Sequence, residues 1–374
     1  MASTDVRIIG AGPAGLMAAE VLAQGGARVT IVDHMAAPAR KFLLAGRGGL
    51  NLTHSEPLEQ FLDRYGDARP FLEPAIRAFP PSSVIDWCHG LGVETFVGSS
   101  GRVFPKCMKA SPLLRAWLRR LDGLGVTLQS RRQWQGFDGM PTILAMGGAS
   151  WPHLGSNAAW VPLVESAGIA VNPFKPSNCR FLVPWTEHFA GRFAGQPIKN
   201  VRLTYGAHTA RGEIMISKDG IEGGAIYALS RHLRDEPGQP LLIDLRPDLS
   251  PEAIAAKLAK RKPKDSQSNA LRKAFNLTPA AIGLMREVGS TDPKRVSLML
   301  TGPAGLARAI SSAGGIARHE VDEHFQLRKV PGCYAAGEML DWEAPTGGYL
   351  LQACFSTAEL PPATHIIGQP RGTH

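Results

Sequence analysis

The sequence predicts an α/β chain in which a parallel-sheet domain is interrupted by an inserted β-barrel-like and helical subdomain. Three observations lead to this prediction. A strand-like run, a glycine-rich turn and a helix-like run open the chain at residues 6–24. Two later strand-like runs also end at glycines: "TILAMGG" from Thr142, and the start of "GCYAAGEML" from Gly332, which ends at Gly337. Between them, short runs such as "VRLTYG" and "PLLIDL" are separated by glycine and proline turns, which is typical of β-structure, and helix-like segments follow.

Length and composition are those of a globular protein of two or three domains. The 374 residues are 44% hydrophobic and 20% charged. No run of eighteen apolar residues occurs, so we expect no membrane span. The chain starts directly with a strand and shows no signal-peptide pattern, so we expect a cytoplasmic location. The five cysteines form no CxxC pair, which predicts reduced thiols and argues against a flavin enzyme with an adjacent dithiol relay.

The chain is basic, with a formal net charge of +9. Its densest basic run occupies residues 257–273. We favour a solvated helix and loop there, because no aromatic side chains alternate with the charges to stack on nucleic-acid bases. A nucleic-acid partner is therefore the less favoured alternative. No metal site is predicted, and the oligomeric state is left open.

The first glycine-rich turn has the pattern G-x-G-x-x-G, formed by Gly10, Gly12 and Gly15. Gly10 allows the tight turn out of the first strand. Gly12 lets a pyrophosphate approach the backbone, and Gly15 lets the following helix pack closely on the strand. The start of that helix, at Pro13 and Ala14, offers a partial positive charge and the free N–H groups that follow the proline to phosphates. The pattern therefore predicts a dinucleotide site.

The second strand-like run supports the same site. It ends at Asp33, which is followed by His34 and stands eighteen residues after Gly15. This is close to the spacing of an acid that accepts hydrogen bonds from ribose hydroxyls. An acid here disfavours a 2′-phosphate, so the residues alone leave FAD and NAD open.

The letters GPAGL recur at residues 302–306, but Leu300 stands where the first glycine would be. No clear apolar strand ending in an acid follows. We predict an ordinary turn before a helix, hence one dinucleotide site and no built-in nicotinamide domain.

A second glycine-rich loop decides between the two dinucleotides. It reads "ARKFLLAGRGGLNLTHSE" from Ala39, where a nicotinamide domain would usually continue with another helix and strand. Four further stretches follow in order: "GRVFPKCMKAS", "ILAMGGASWPHLGS", "SSAGGIA" and "GCYAAGEMLDWEAPTGGYLLQACFSTA". Together they resemble the aminoacetone-oxidase-like family of bacterial flavoproteins, which has the glutathione reductase-like FAD-binding fold.

The resemblance implies a Rossmann-like FAD-binding domain, a parallel sheet with a β-meander, at residues 1–176 and 312–374. It also supports an inserted β subdomain at 177–249 and a helical subdomain at 250–311, which Ser250 would open as an N-cap. The sequence departs from the family in two places. Leu50 stands where relatives have a cysteine, and the stretch after Trp134 has room for one short turn, so one hairpin of the meander should be missing or stunted.

The implied cofactor is non-covalent FAD, with NAD(P)H as a candidate external electron donor. Cofactor contacts are predicted for the first motif and for the segments that carry the resemblance: Gly10, Gly12, Pro13, Ala14, Gly15, Asp33, His34, Arg40, Lys41, Gly46, Gly48, Asn51, Trp134, Met146, Gly147, Gly148, Gly337, Glu338, Gly347, Gly348, Tyr349 and Leu350.

Flavin chemistry needs a stacked substrate and polar groups rather than a protein nucleophile. The catalytic candidates are Arg47, His54, Arg102 and Tyr349; Asn51, Asp341 and Glu343 lie in the same segments. The leading hypothesis is an FAD-dependent oxidoreductase of a small organic molecule, which two arginines would favour as an anion. The alternatives are a flavoprotein acting on RNA and a non-enzymatic flavin-binding redox sensor.

Overall fold

The computed structural model describes residues 4–45, 48–259 and 267–359. The chain divides into two compact units, Met1–Lys175 with Ser311–His374, and Pro176–Ile310. The described strands are β1 (Asp5–Ile9), β2 (Arg28–Asp33), β3 (Thr53–His54), β4 (Thr95–Val97), β5 (Arg102–Pro105), β6 (Thr127–Ser130), β7 (Thr142–Leu144), β8 (Val171–Ser177), β9 (Phe181–Leu182), β10 (Pro197–Tyr205), β11 (His208–Ser217), β12 (Gly220–Glu222), β13 (Leu241–Asp244), β14 (Val296–Leu298), β15 (Gly302–Pro303), β16 (Ser311–Ile316) and β17 (Cys333–Ala335).

The described α-helices are α1 (Pro13–Gln24), α2 (Arg40–Ala45), α3 (Leu58–Asp63), α4 (Arg69–Ala78), α5 (Pro81–Gly90), α6 (Ala110–Gly123), α7 (Val161–Ser166), α8 (Glu187–Phe193), α9 (Gly224–Ala228), α10 (Ser230–Asp235), α11 (Pro251–Ala259), α12 (Gln267–Phe275), α13 (Pro279–Glu287) and α14 (Tyr349–Glu359). Single turns of 3-10 helix lie at Gly66–Ala68, Pro152–Leu154, Leu306–Arg308, Arg318–Glu320 and Gly337–Met339. No described helix is long and apolar enough to cross a membrane.

The first unit is built on a parallel sheet with strand order β6-β2-β1-β7-β17. Val6 and Ile8 of β1 face one hydrophobic core and Ile9 faces another, because successive side chains of a strand point to opposite faces. Helices α1 and α6 contribute to the first core, whereas α4 and α7 contribute to the second. The predicted Rossmann-like α/β fold is confirmed.

The loop that joins β6 to β7 takes the place of the predicted meander. Residues 131–141 contain no strand, so the shortening predicted from the sequence extends to the whole hairpin region. The two strands lie three positions apart in the sheet, roughly 14 Å at about 4.8 Å per strand. Because β6 and β7 are parallel, the chain must also return from the end of β6 to the start of β7, so few residues of this segment remain for additional strands.

The second unit contains a seven-stranded sheet in the order β14-β13-β10-β11-β12-β9-β15, with antiparallel neighbours throughout. Its two edge strands are joined by residues 299–301 alone. Four Cα–Cα steps reach about 15 Å at most, whereas six strand spacings of a flat sheet take about 29 Å. The sheet must therefore curl towards closure, as the expected barrel-like form requires.

Helices α11 to α13 follow the curled strands in the second unit. Ser250 Oγ accepts a hydrogen bond from the N–H of Ala253 at 3.2 Å, so it caps α11. The basic run at 257–273 spans residues outside the described ranges, and its ends lie in α11 and α12.

The second GPAGL segment differs from its predicted form. Gly302 and Pro303 form β15, which pairs with β9, and one turn of 3-10 helix follows at Leu306–Arg308. The prediction of an ordinary turn was wrong, because these residues close an edge of the sheet. Pro303 fits an edge strand, since it has no N–H to donate to a further neighbour.

Candidate functional site

The turn from β1 into α1 shows why its glycines are needed. A Cβ on Gly15 would lie 1.9 Å from the carbonyl oxygen of Gly10, so only glycine lets α1 approach β1 this closely. Gly10 has a φ of +106°, and a Cβ there would lie 2.4 Å from the carbonyl oxygen of Ala145. A Cβ on Gly12, by contrast, would meet nothing within 4 Å. The backbone at Gly12 is therefore open to a large ligand, while its neighbours are tightly packed.

A cavity of about 270 Å³ lies beside this turn. Its floor includes the residues that follow β1 and β7, where the strand order of the sheet reverses. Ligands of open α/β sheets bind at this position, outside the carboxyl ends of the strands. Twelve of the predicted cofactor residues line the cavity: Gly10, Gly12, Pro13, Ala14, Asp33, His34, Arg40, Lys41, Trp134, Met146, Gly147 and Glu338.

Asp33 lies at the end of β2 with its carboxylate held by main-chain donors. One oxygen accepts from the N–H of Ala11 at 2.6 Å and the other from the N–H of Met35 at 2.7 Å. Each carboxylate oxygen can accept a second hydrogen bond. The carboxylate is thus fixed in position and keeps capacity for the two hydroxyls of a ribose.

Lys41 and Glu338 form an ion pair on another wall of the cavity. Lys41 Nζ lies 2.8 Å from Glu338 Oε2 and donates to Ser150 Oγ at 2.5 Å. The second oxygen of Glu338 accepts from the N–H of Ser312 at 2.9 Å. A Cβ on Gly148 would lie 2.0 Å from Ser312 Oγ, so glycine is needed beside this network. Because Lys41 balances its charge, the Glu338 carboxylate can lie near a phosphate-bearing ligand with less repulsion than an unpaired carboxylate.

Two buried polar atoms of the cavity wall test whether a dinucleotide fits. Trp134 Nε1 and Ser156 Oγ have no hydrogen-bond partner among the described residues, and both residues line the cavity. An unpaired buried polar group costs about 1–3 kcal/mol. The acceptor-rich ring and ribose of an adenosine would satisfy both groups. Together with the open backbone at Gly12 and the carboxylate of Asp33, they fit an ADP-containing cofactor such as FAD.

A second cluster of predicted residues lies where β3, β5 and α14 meet. His54 is the cross-strand partner of Arg102, and its ring stacks on that of Tyr349 with centroids 5.6 Å apart. A Cβ on Gly348 would lie 2.5 Å from the backbone of Thr53, so α14 begins in direct contact with β3. The structure thus brings three of the four catalytic candidates together. The fourth, Arg47, and the predicted contact Gly46 lie outside the described residues.

The proton-carrying groups of this cluster are firmly engaged. His54 Nδ1 accepts from the N–H of Glu56 at 3.1 Å, and Nε2 lies 2.9 Å from the carbonyl oxygen of Ser100. These partners assign the ring as neutral, with its proton on Nε2. Tyr349 donates its hydroxyl proton to Glu56 Oε1 at 2.5 Å. Burial, and then this hydrogen bond to a carboxylate, raise the pKa of Tyr349, so the phenol keeps its proton at neutral pH.

Glu56 connects Tyr349 to Arg64. Burial disfavours the charged carboxylate, but hydrogen bonds from Arg64 and Tyr349 outweigh burial and lower the pKa of Glu56. The guanidinium of Arg64 contacts both carboxylate oxygens, at 3.2 and 2.6 Å. Sequence reasoning missed this residue, although Glu56 ends the loop that carries His54.

The other predicted residues lie near the cavity or near the second cluster without lining the cavity. Gly15, Gly148 and Gly337 pack behind its wall, while Asn51, Gly347, Gly348, Tyr349 and Leu350 belong to the segments around the second cluster, and Gly48 lies on the exposed loop before it. Asn51 Oδ1 is buried without a partner among the described residues. Asp341 accepts a hydrogen bond from Asn172 at 2.8 Å, and Glu343 is half-buried.

The cavity also contains residues that no sequence signal singled out. Arg132, Gln133, Ser156, Asn157, Trp160 and Cys354 all line it. Ser156 and its neighbours belong to the "WPHLGS" stretch, which the resemblance included but which carried no predicted role. Their position depends on tertiary packing that no local pattern shows.

The sheet order, the glycine turn and the cavity define the class of protein: a Rossmann-like fold of the kind that binds dinucleotides at the switch point of its sheet. The chain belongs to the HI0933-like family. The family model described as "HI0933-like protein Rossmann domain" matches residues 4–140 and 136–362. The family and its structural neighbours are FAD-dependent oxidoreductases.

Two relatives with described activities match nearly the whole chain. The ribosomal RNA dihydrouridine synthase of Escherichia coli (strain K12) is 26% identical, covering 95% of this chain and 96% of its own length. The 3-dehydro-bile acid delta(4,6)-reductase of Clostridium scindens is also 26% identical, covering 95% and 97%.

Solved structures share the fold at low sequence identity. The open conformation of a flavocytochrome c3 fumarate reductase is similar with a TM-score of 0.52 and 14% identity, covering 96% of this chain and 77% of its own. Sdh1 of Mycobacterium smegmatis in complex with UQ1 gives a TM-score of 0.50 and 15% identity, covering 99% and 70%.

Proposed function

We propose that this protein is an FAD-dependent reductase of a carbon–carbon double bond conjugated to a carbonyl group. The observation that carries the proposal is the cavity at the carboxyl ends of β1 and β7, with its open glycine backbone, fixed Asp33 and two unpartnered polar atoms. The reaction type is supported by the names of the two relatives. Each name describes a reduction, one giving dihydrouridine in ribosomal RNA and one acting on a bile acid.

The residues of this chain would divide the work between two places. The N-terminus of α1 would hold the pyrophosphate, Asp33 would bind a ribose, and Trp134 and Ser156 would fix the adenosine half. When bound, FAD supplies the two-electron chemistry that such a reduction needs. Saturating the double bond also takes up a proton. Tyr349 is the candidate donor: its phenol keeps its proton at neutral pH, and its hydroxyl would turn from Glu56 Oε1 to the substrate to deliver it.

His54 has a supporting role in this proposal. Both ring nitrogens are engaged by main-chain groups, so the ring is held against Tyr349 and orients it. Leu50, at the position where relatives have a cysteine, is fully buried and carries no proton. A thiol acid at that position is therefore not part of the proposed chemistry.

A small anionic molecule is the first candidate substrate. Arg102 is half-buried and makes no side-chain hydrogen bond or ion pair to another described residue. Its β5 position places it directly opposite His54. A guanidinium that is held near the proton-donor candidate without an internal carboxylate can bind a substrate carboxylate or phosphate through two hydrogen bonds.

A uridine in structured RNA is the second candidate substrate. It is favoured by the net charge of +9 and by the name of the E. coli relative. A basic surface binds the phosphate backbone and makes binding strongly dependent on salt. The narrower resemblance to aminoacetone-oxidase-like proteins suggests amine oxidation as a third reaction to test.

The test is anaerobic reduction of the purified yellow protein by NADH or NADPH, followed by acceptors. We expect acid precipitation to release FAD, since no residue sits in a flavin-linkage motif. We then expect rapid reoxidation by an unsaturated carboxylic acid or ketone, or by undermethylated, unmodified ribosomal RNA with formation of dihydrouridine. Reoxidation by neither substrate, together with oxygen-dependent turnover of an amine, would overturn the reductase proposal. Absence of turnover with every donor and acceptor would instead favour a flavin-binding sensor.

A further inference from the structure

Three side chains with metal-binding atoms lie together in the second unit. They are His208, at the start of β11, His232 on α10, and Glu236, which follows the end of α10. One ligand atom from each lies within 4.8 Å of the others. His232 Nδ1 is 3.0 Å from Glu236 Oε1, and the two imidazole rings stack with centroids 3.4 Å apart.

The elements that carry this cluster are joined by other contacts. Tyr205 pairs with His208 where β10 turns into β11. Its hydroxyl also donates to the main-chain oxygen of Glu236 at 2.5 Å. Tyr205 and Leu233 are both buried, with 2% and 3% of their surface exposed. The hairpin end and the helix end are therefore held together by the core, and the three ligands are brought close without help from an ion.

We propose that His208, His232 and Glu236 form a binding site for a divalent transition-metal ion such as Zn²⁺ or Ni²⁺. Two imidazole nitrogens and one carboxylate oxygen form a set that Zn²⁺ uses in proteins, whereas Mg²⁺ and Ca²⁺ take oxygen ligands. The dinucleotide cavity gives no other reason for the two rings to lie together, because every residue that lines it belongs to the first unit.

The geometry needs only side-chain rotation to close around an ion. Ligand atoms at about 2.0–2.1 Å from a tetrahedral metal lie roughly 3.3 Å apart. His232 Nδ1 and Glu236 Oε1, at 3.0 Å, are already close to this separation. The rings must turn from stacking so that both nitrogens point at the ion. The exposed fraction of the side chain is 30% for His232 and 52% for Glu236, so both can rotate and the ion can enter from solvent. The remaining coordination position stays open to water.

Isothermal titration calorimetry of the tag-free, chelator-treated holoprotein with ZnCl₂ and NiCl₂ tests the proposal. We expect one ion per chain. His208→Ala and His232→Ala should each weaken binding at least tenfold, since each removes one of three ligands. His188→Ala is the matched control, because His188 is an exposed histidine of the same unit and should leave binding unchanged.

Circular dichroism and flavin content verify that each variant is folded, and His208→Gln replaces His208→Ala if the smaller side chain loosens the hairpin. Unchanged binding in a folded His208/His232 double variant would overturn the proposal. A wild-type Kd that is no tighter than the Kd of the double variant, for both metals, would also overturn it.

Discussion

Ser156→Ala separates the cofactor role of a cavity residue from its role in folding. Ser156 is 7% exposed, and its hydroxyl has no partner among the described residues. Alanine removes that hydroxyl and little else. In the apoprotein the change removes an unpaired buried polar group, whose cost is about 1–3 kcal/mol. At the low end of that range, the free energy of unfolding should rise by about 1 kcal/mol.

The same substitution should weaken cofactor binding. A hydrogen bond from this hydroxyl to the adenosine half would contribute about 1 kcal/mol, which corresponds to roughly fivefold in Kd. The opposite signs of the two effects distinguish a ligand-binding hydroxyl from a structural one. Replacing a serine whose hydroxyl is hydrogen-bonded in the folded protein would instead lower the free energy of unfolding.

Two measurements on flavin-free protein check this prediction. Thermal unfolding should show a midpoint about 1–2 °C higher, as expected for 1 kcal/mol in a chain of this size. Titration with FAD, followed by quenching of flavin fluorescence, should show the weaker Kd. Ser166→Ala is the control, because Ser166 is exposed and does not line the cavity. A destabilised Ser156→Ala apoprotein with unchanged FAD affinity would refute the reasoning.

Three further predictions follow from the same structure. Gly12→Val should abolish FAD binding in a folded protein, because it fills the space beside the α1 N-terminus, whereas Gly302→Val should leave FAD content normal. Glu56→Gln should lower the free energy of unfolding at pH 7 by about 1–2 kcal/mol, since half-exposed Arg64 loses its carboxylate partner. Arg102→Gln should raise KM for an anionic substrate tenfold or more while FAD content and kcat change little.

The Glu56→Gln effect has a defined pH dependence. The folded-state pKa of Glu56 lies below its ordinary value of 4.5, so its stabilisation is complete above that pH and is lost as pH falls through the lower folded-state value. Urea denaturation should therefore show wild type and variant converging below pH 4.5, and a constant difference would contradict the assignment. Equal loss of FAD from folded Gly12→Val and Gly302→Val would show that the cofactor site is misplaced. A normal KM in Arg102→Gln would argue against an anionic substrate.

The first glycine motif could be predicted residue by residue because its causes are local. A Cβ at Gly15 meets the carbonyl of Gly10, five residues away, so the sequence spacing alone carries the constraint. The second GPAGL segment shows the opposite case. Its strand pairs with Phe181 and Leu182, more than a hundred residues earlier, and no local pattern predicts that pairing.

The candidate site was predictable to a different extent in its two parts. Gly12 lies in the turn after β1 and Asp33 ends β2, and the carboxyl ends of parallel strands meet at one edge of the sheet. Ser156 lies in an irregular loop, so its burial in the cavity wall depends on how that loop packs. Glu56 was missed because an acid after a histidine has no distinctive spacing. Its importance comes from Arg64, which follows α3, and Tyr349, which begins α14.

The split of the first unit into two chain segments determines when its cavity can form during synthesis. Gly10, Asp33 and Trp134 are made early, but Glu338 and Cys354 of the same cavity wall follow an intervening unit that ends at Ile310. That unit is Pro176–Ile310. At about 5–20 residues per second its translation takes roughly 7–27 s. During that interval β7 has no β17 beside it, so the nascent chain exposes an unpaired strand edge and a half-built nucleotide pocket. Cofactor capture is therefore one of the last events in the making of the protein, after the intervening unit has had time to fold.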